Sequence, residues 1–126
     1  MKHNIATALA ELAPYQEYVC YDNDYDRLTW FDDRNTIPKP SKEAIDAKIA
    51  ELDAAEPMRQ LREVRDKKLA ETDWVVARAT ERNETIPTEW ATYRQALRDI
   101  TLTATPVLNN SYYLDAQLIT WPVKPS

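Results

Sequence analysis

Glycine is missing from this chain altogether: among 126 residues there is none, where about 7%, or about nine for this length, would be ordinary. Phosphate-cradling loops and dinucleotide turns need glycine where the backbone approaches the ligand, and the strained strand-to-helix elbow of many hydrolases needs it as well. Those classes are set aside. Left-handed turns must fall to asparagine and aspartate, with Asn23, Asn83, Asn109 and Asn110 as the candidates. Cysteine occurs once, at Cys20, so no internal disulfide can form, which fits a reducing compartment. Histidine also occurs once, at His3. A Ser-His-Asp or Cys-His arrangement would therefore have to recruit the start of the chain, and a zinc site would lack two of its four ligands. No apolar run approaches the roughly 20 residues of a membrane span. The opening MKHNIATALAELAP, interrupted by Asn4, Thr7 and Glu11, does not read as a secretory signal. The expectation is a cytoplasmic protein that is not an enzyme, with no catalytic residues, no metal, no cofactor and no membrane partner.

What is present is charged and unevenly so. Residues 1–57 carry 6 basic and 12 acidic side chains, residues 58–100 carry 9 and 8, and residues 101–126 carry one of each. The acidic front half disfavours nucleic acid, whose phosphates require a basic face. The mixed charges of the middle suit a solvated helical surface.

Periodicity and punctuation give the elements. Residues 3–12 place Ile5, Leu9 and Leu12 on one helical face before Pro14. QEYVCY and RLTWF, joined by the turn DNDYD, read as a β-hairpin, with Tyr18 and Cys20 on one face and Val19 and Tyr21 on the other. After PKP, Ser41 caps a helix with the stripe Ile45, Ile49 and Leu52, which Pro57 is expected to end. A second helix over 58–71 carries Met58, Leu61, Val64 and Leu69, with Arg62 and Asp66 as an i, i+4 pair. A helical turn near Trp74 follows, its ring expected to bury and anchor the connection. A closing helix entered at Pro87 and Thr88 then places Trp90, Tyr93, Leu97 and Ile100 on one stripe. Beyond it the nearly uncharged segment 101–126 suggests strand-like pieces around 112–121 and an extended end.

The acidic turn invites a cation. Asp22, Asp24, Asp26 and Asp33 fall at positions 1, 3, 5 and 12 of a calcium-loop pattern, but Arg27 replaces the glycine at position 6 and the last ligand is Asp rather than Glu. A solvated hairpin turn is the reading preferred. Asp32 and Asp33, taken as a paired-carboxylate site, would point to opposite faces of a strand.

The motifs together are more specific. RDKKLAETDW at 65–74, EWATYRQALRDI at 89–100 and the WPVKP close at 121–125 resemble the phage tail assembly chaperone family, most strongly over 61–100. Its members tend to show an Arg-Asp helix running into Thr-Asp-Trp, then Trp-x-x-Tyr-Arg-x-x-Leu-Arg-Asp, then Trp-Pro. The front half is similar too, through Asp24, Tyr25 and Trp30 of a DY-x-x-x-x-W hairpin. ATERNETIP and the long segment 101–120 depart from the family pattern.

The resemblance implies a protein that binds and protects a tail or tail-fibre subunit during folding and assembly, in the host cytoplasm. The alternative is a structural tail or baseplate protein retained in the virion. Tail fibres are commonly trimers, so a trimeric client with three copies of this chain around it is expected. The fold expected is α+β: an N-terminal hairpin with short helices over 1–56, a C-terminal helical segment over 57–100 and a β-like tail over 101–126. The partner-binding candidates are Trp90, Tyr93, Arg94, Arg98, Tyr112, Tyr113, Trp121 and Val123. Among them Trp90 and Tyr93 also suit an ordinary core, and Arg94 and Arg98 also suit surface pairs with Glu89 or Asp99.

Overall fold

A computed structural model describes residues 3–126. Met1 and Lys2, which enter the reading of the chain's opening, lie outside the described residues. Four α-helices and one two-stranded antiparallel sheet are formed among the described residues, an α+β chain as its patterning suggests. It divides into two compact units, Met1–Glu56 and Pro57–Ser126.

In the first unit, helix α1 spans Ile5–Leu12. Asn4 caps it, its Oδ1 accepting from the Thr7 amide at 2.9 Å, one of the donors that a helix start leaves open. The Ile5 amide donates to Asn23 Oδ1 at 2.8 Å, tying the helix to the hairpin turn. Strands β1, Tyr18–Cys20, and β2, Leu28–Trp30, pair with Val19 opposite Thr29. Two short strands are marginal alone, so the sheet depends on its apolar face. Leu28 and Trp30 join Ile5, Ala8, Leu9 and Ile45 in one buried cluster. Tyr18 stacks on Trp30 at 6.2 Å, the Trp30 indole N–H donates to the Ile37 carbonyl at 3.1 Å, and the Tyr25 hydroxyl donates to the Pro40 carbonyl at 3.1 Å. The acidic turn is occupied by its own chain: Arg27 pairs with Asp22, and Asp24 accepts from the Asp26 amide.

Helix α2 spans Lys42–Ala70 with Pro57 inside it, so the stop expected at Pro57 and the separate helix over 58–71 are replaced by one long helix. Ser41 caps it, its hydroxyl accepting from the Ala44 amide at 3.1 Å. An interior proline removes one helical bond and costs about 3 kcal/mol. Burying a leucine or isoleucine contributes about 1.5–3 kcal/mol, and α2 buries Ile45 before the proline and Leu61 after it. Packing on each side of the break therefore outweighs the local penalty. Asp66 pairs with Arg65 rather than Arg62.

In the second unit, α3 spans Asp73–Glu81 and α4 spans Thr88–Thr103. Val75, Trp90, Tyr93 and Leu97 form one buried cluster, with Leu61, Ile100 and Ile119 in another. Trp121 packs against both. The strand-like pieces expected near 112–121 appear as one isolated antiparallel bridge, Leu108 to Leu114, followed by a 3₁₀ turn at Ala116–Leu118. Asp115 caps that turn by accepting from the Gln117 amide, and Pro106 and Pro122 carry no N–H for a ladder.

Without glycine, left-handed backbone falls on Tyr15, Asp22, Asn23, Asn83 and Tyr112. Asn23 and Asn83 are in the places expected. Asn109 and Asn110 are not, because the Asn109 side chain accepts from the Ser111 and Tyr113 amides and the positive φ moves to Tyr112.

Candidate functional site

Arg94 is the polar centre of the second unit. Its Nη1 donates to the Leu69 carbonyl at 3.0 Å, to Thr72 Oγ1 at 2.6 Å and to Asp73 Oδ1 at 3.1 Å. Thr72 is fully buried, and its hydroxyl donates to the same Leu69 carbonyl at 2.9 Å. A guanidinium at the last turn of α2 also meets the negative end of that helix. Asp73 is largely exposed, so its charge adds little; the buried hydroxyl and carbonyl carry the bond. The Thr-Asp-Trp motif and the Tyr-Arg helix thus meet as an internal latch between the end of α2 and α4. Neither arginine takes the expected pairing. Arg98 donates to Gln95 Oε1, and Asp99 accepts from Gln95.

An aromatic series extends from the latch. Trp74 meets Trp90 edge-on at 5.7 Å, and Trp90 meets Tyr93 edge-on at 6.3 Å. Trp90, Tyr93, Leu97 and Ile100 are all buried, so this stripe is spent on packing. Burial and the neighbouring Glu71 carboxylate raise the Tyr93 phenol above its ordinary pKa. Trp74 does not bury its ring as expected: it is 50% exposed, with Arg78 against its face. On α3 the inward positions are Val75 and Ala79, which leaves Trp74 on the flank.

The remaining candidates lie outward. Trp121 is partly buried between the two clusters, with the Lys68 ammonium 5.2 Å from its ring, so it acts as the anchor of the chain's last segment. Beyond it Val123 is 90% exposed. Residues 122–126 and the α4 row Glu89, Thr92, Tyr93 and Ala96 bound a groove of about 550 Å³. Tyr93 and Val123 are therefore brought to one place, while Tyr112 and Tyr113 sit exposed on the turn between Leu108 and Leu114.

Four features escaped the sequence reading. Leu102, Val107 and Leu118 are also exposed. Leu102 lies off the stripe of α4, which a helix extended to Thr103 would have revealed. Gln60, on α2, bonds the backbone of residues 112 and 114; no local pattern marks it. No helix among the described residues is long and apolar enough to cross a membrane.

A family model described as phage tail assembly chaperone protein matches residues 58–126, the span that holds the latch, the aromatic series and the exposed segment. No curated protein and no solved structure matches the chain. The family match takes in more than half of the sequence, and on it the chain belongs to the phage tail assembly chaperone family.

Proposed function

We propose that the client is a tail-fibre subunit, which this chain binds and shields in the host cytoplasm while the fibre folds and assembles. One observation carries the reading. The motif aromatics of α4 are consumed by the core, whereas Leu102, Val107, Tyr112, Tyr113, Leu118 and Val123 stand exposed on a segment with a single acid and a single base. Covering a fully exposed apolar side chain contributes about 1.5–3 kcal/mol, and one already half-buried, as Val107 and Tyr112 are, contributes less. Association costs about 4–15 kcal/mol, so several must be covered together, which favours an extended protein surface over a small ligand. Unfinished fibres expose apolar surface and strand edges that aggregate. Shielding them is a binding task and needs no bond chemistry.

Three copies of the chain around a trimeric fibre follow from the same reading. Co-expression with the tail-fibre subunit of the same phage, followed by native mass measurement, tests both points. A soluble complex of three chains with a fibre trimer is expected. A fibre that folds solubly alone and never co-purifies contradicts the reading. Recovery of the chain in finished particles would instead make it a permanent tail or baseplate component. Deleting residues 101–126 is a poor test, because Ile119 and Trp121 belong to the packed clusters; substitutions of exposed side chains leave those clusters in place.

A further inference from the structure

We infer that Gln60 is a positioning residue for client binding, acting through the turn that displays Tyr112 and Tyr113. The inference rests on the proposal that this turn touches the client. The Gln60 carboxamide spans two backbone groups: Nε2 donates to the Tyr112 carbonyl at 3.0 Å, and Oε1 accepts from the Leu114 amide at 2.7 Å. Only one orientation of the amide satisfies both partners. A side chain from the long helix thus bonds the turn as a neighbouring strand would. The rest of the turn is closed from within, through Asn109 N–H to the Tyr113 carbonyl at 2.7 Å and Asp115 N–H to the Val107 carbonyl at 2.8 Å.

Strain identifies what Gln60 holds. Tyr112 has φ of 63°, a region that a bulky residue occupies only when its surroundings impose it. Both rings stay accessible, Tyr112 at 45% and Tyr113 at 65%, and the Tyr112 backbone is held at both ends, its amide donating to the Asn109 carbonyl at 3.0 Å. The Gln60 bond falls on the Tyr112 carbonyl itself. The result is two aromatic rings on a fixed turn, which lowers the entropy lost on binding.

The test combines Gln60→Met, which keeps the side-chain length and removes both bonds, with Tyr112→Ala/Tyr113→Ala and with the combined variant. Each is measured for affinity to the co-expressed tail-fibre subunit and for amide exchange without client. Gln60→Met is expected to speed exchange at Leu114 while the α4 amides stay protected, and to weaken the complex about tenfold. Added to the double tyrosine variant, it should cause no further loss, because both act through one element. Gln60→Glu, which keeps only the acceptor, should fall between. Losses that multiply, or unchanged Leu114 exchange, overturn the positioning role. A double tyrosine variant that binds like the natural chain overturns the client-contact reading instead. Exchange at Leu114 decides whether Gln60 holds the turn even if the fibre subunit never binds, so failure of that subunit to bind overturns the proposed function separately.

Discussion

Arg94 joins two motifs that are distant in the chain, and its value to stability is measurable. Arg94→Ala leaves the buried Thr72 oxygen without its donor, while the Leu69 carbonyl keeps the Thr72 hydroxyl; a loss of about 1–3 kcal/mol in urea unfolding is expected. Arg94→Lys retains the charge but not the planar fork, and should recover only part of it. Tyr93 gives a pH signature. Its phenol is held above the ordinary pKa by burial, with Glu71 adding to the effect, so the folded state keeps its proton where the unfolded chain has lost it. Stability should therefore fall as pH rises from about 10 through the folded value, and Tyr93→Phe should flatten that decline in denaturation curves taken across alkaline pH. At this scale the sequence disclosed which α4 residues turn inward, since helical spacing decides that. It did not disclose the partners of Arg94, because spacing rules see one helix and Arg94 reaches Leu69, Thr72 and Asp73.

Among the elements, α2 tests how local preference competes with packing. Pro57→Ala restores a helical donor and should stabilise the chain by about 1–3 kcal/mol in thermal or urea unfolding; destabilisation would mean that the proline geometry itself is used. Ser41→Ala removes the cap on the Ala44 amide and should cost about 1 kcal/mol by the same measurement. The hairpin and α4 were legible because alternation, turn residues and a 3.6 period act locally. The passage of α2 through Pro57 was not, because it depends on Ile45 and Leu61 finding separate clusters. Residues 101–126 were the least legible. Their β-branched and aromatic composition suits strands, but the bonds are taken instead by Asn109, Asp115 and the distant Gln60. Absent glycine made strain at some turn foreseeable, though not that Tyr112 would bear it.

For the whole molecule, the family match over residues 58–126 coincides with an arrangement in which most motif side chains build the scaffold, Trp74 and Val123 staying exposed, and less patterned residues remain outside. The motif residues that reveal the family and the surface proposed to meet the client therefore overlap only at the end of the chain, in Val123 of the WPVKP close. Both were partly visible in advance: helical spacing marked the scaffold, and Tyr112, Tyr113 and Val123 were among the partner-binding candidates, whereas Leu102, Val107 and Leu118 lay in no pattern that marked them. Affinity for the tail-fibre subunit, compared between the natural chain and a variant carrying Tyr112→Ser, Tyr113→Ser, Leu118→Ser and Val123→Ser, tests this division most directly. With helical content and unfolding midpoint preserved, affinity is expected to drop at least about a hundredfold. Unchanged affinity in a folded variant would contradict it and move the client-binding surface elsewhere on the chain.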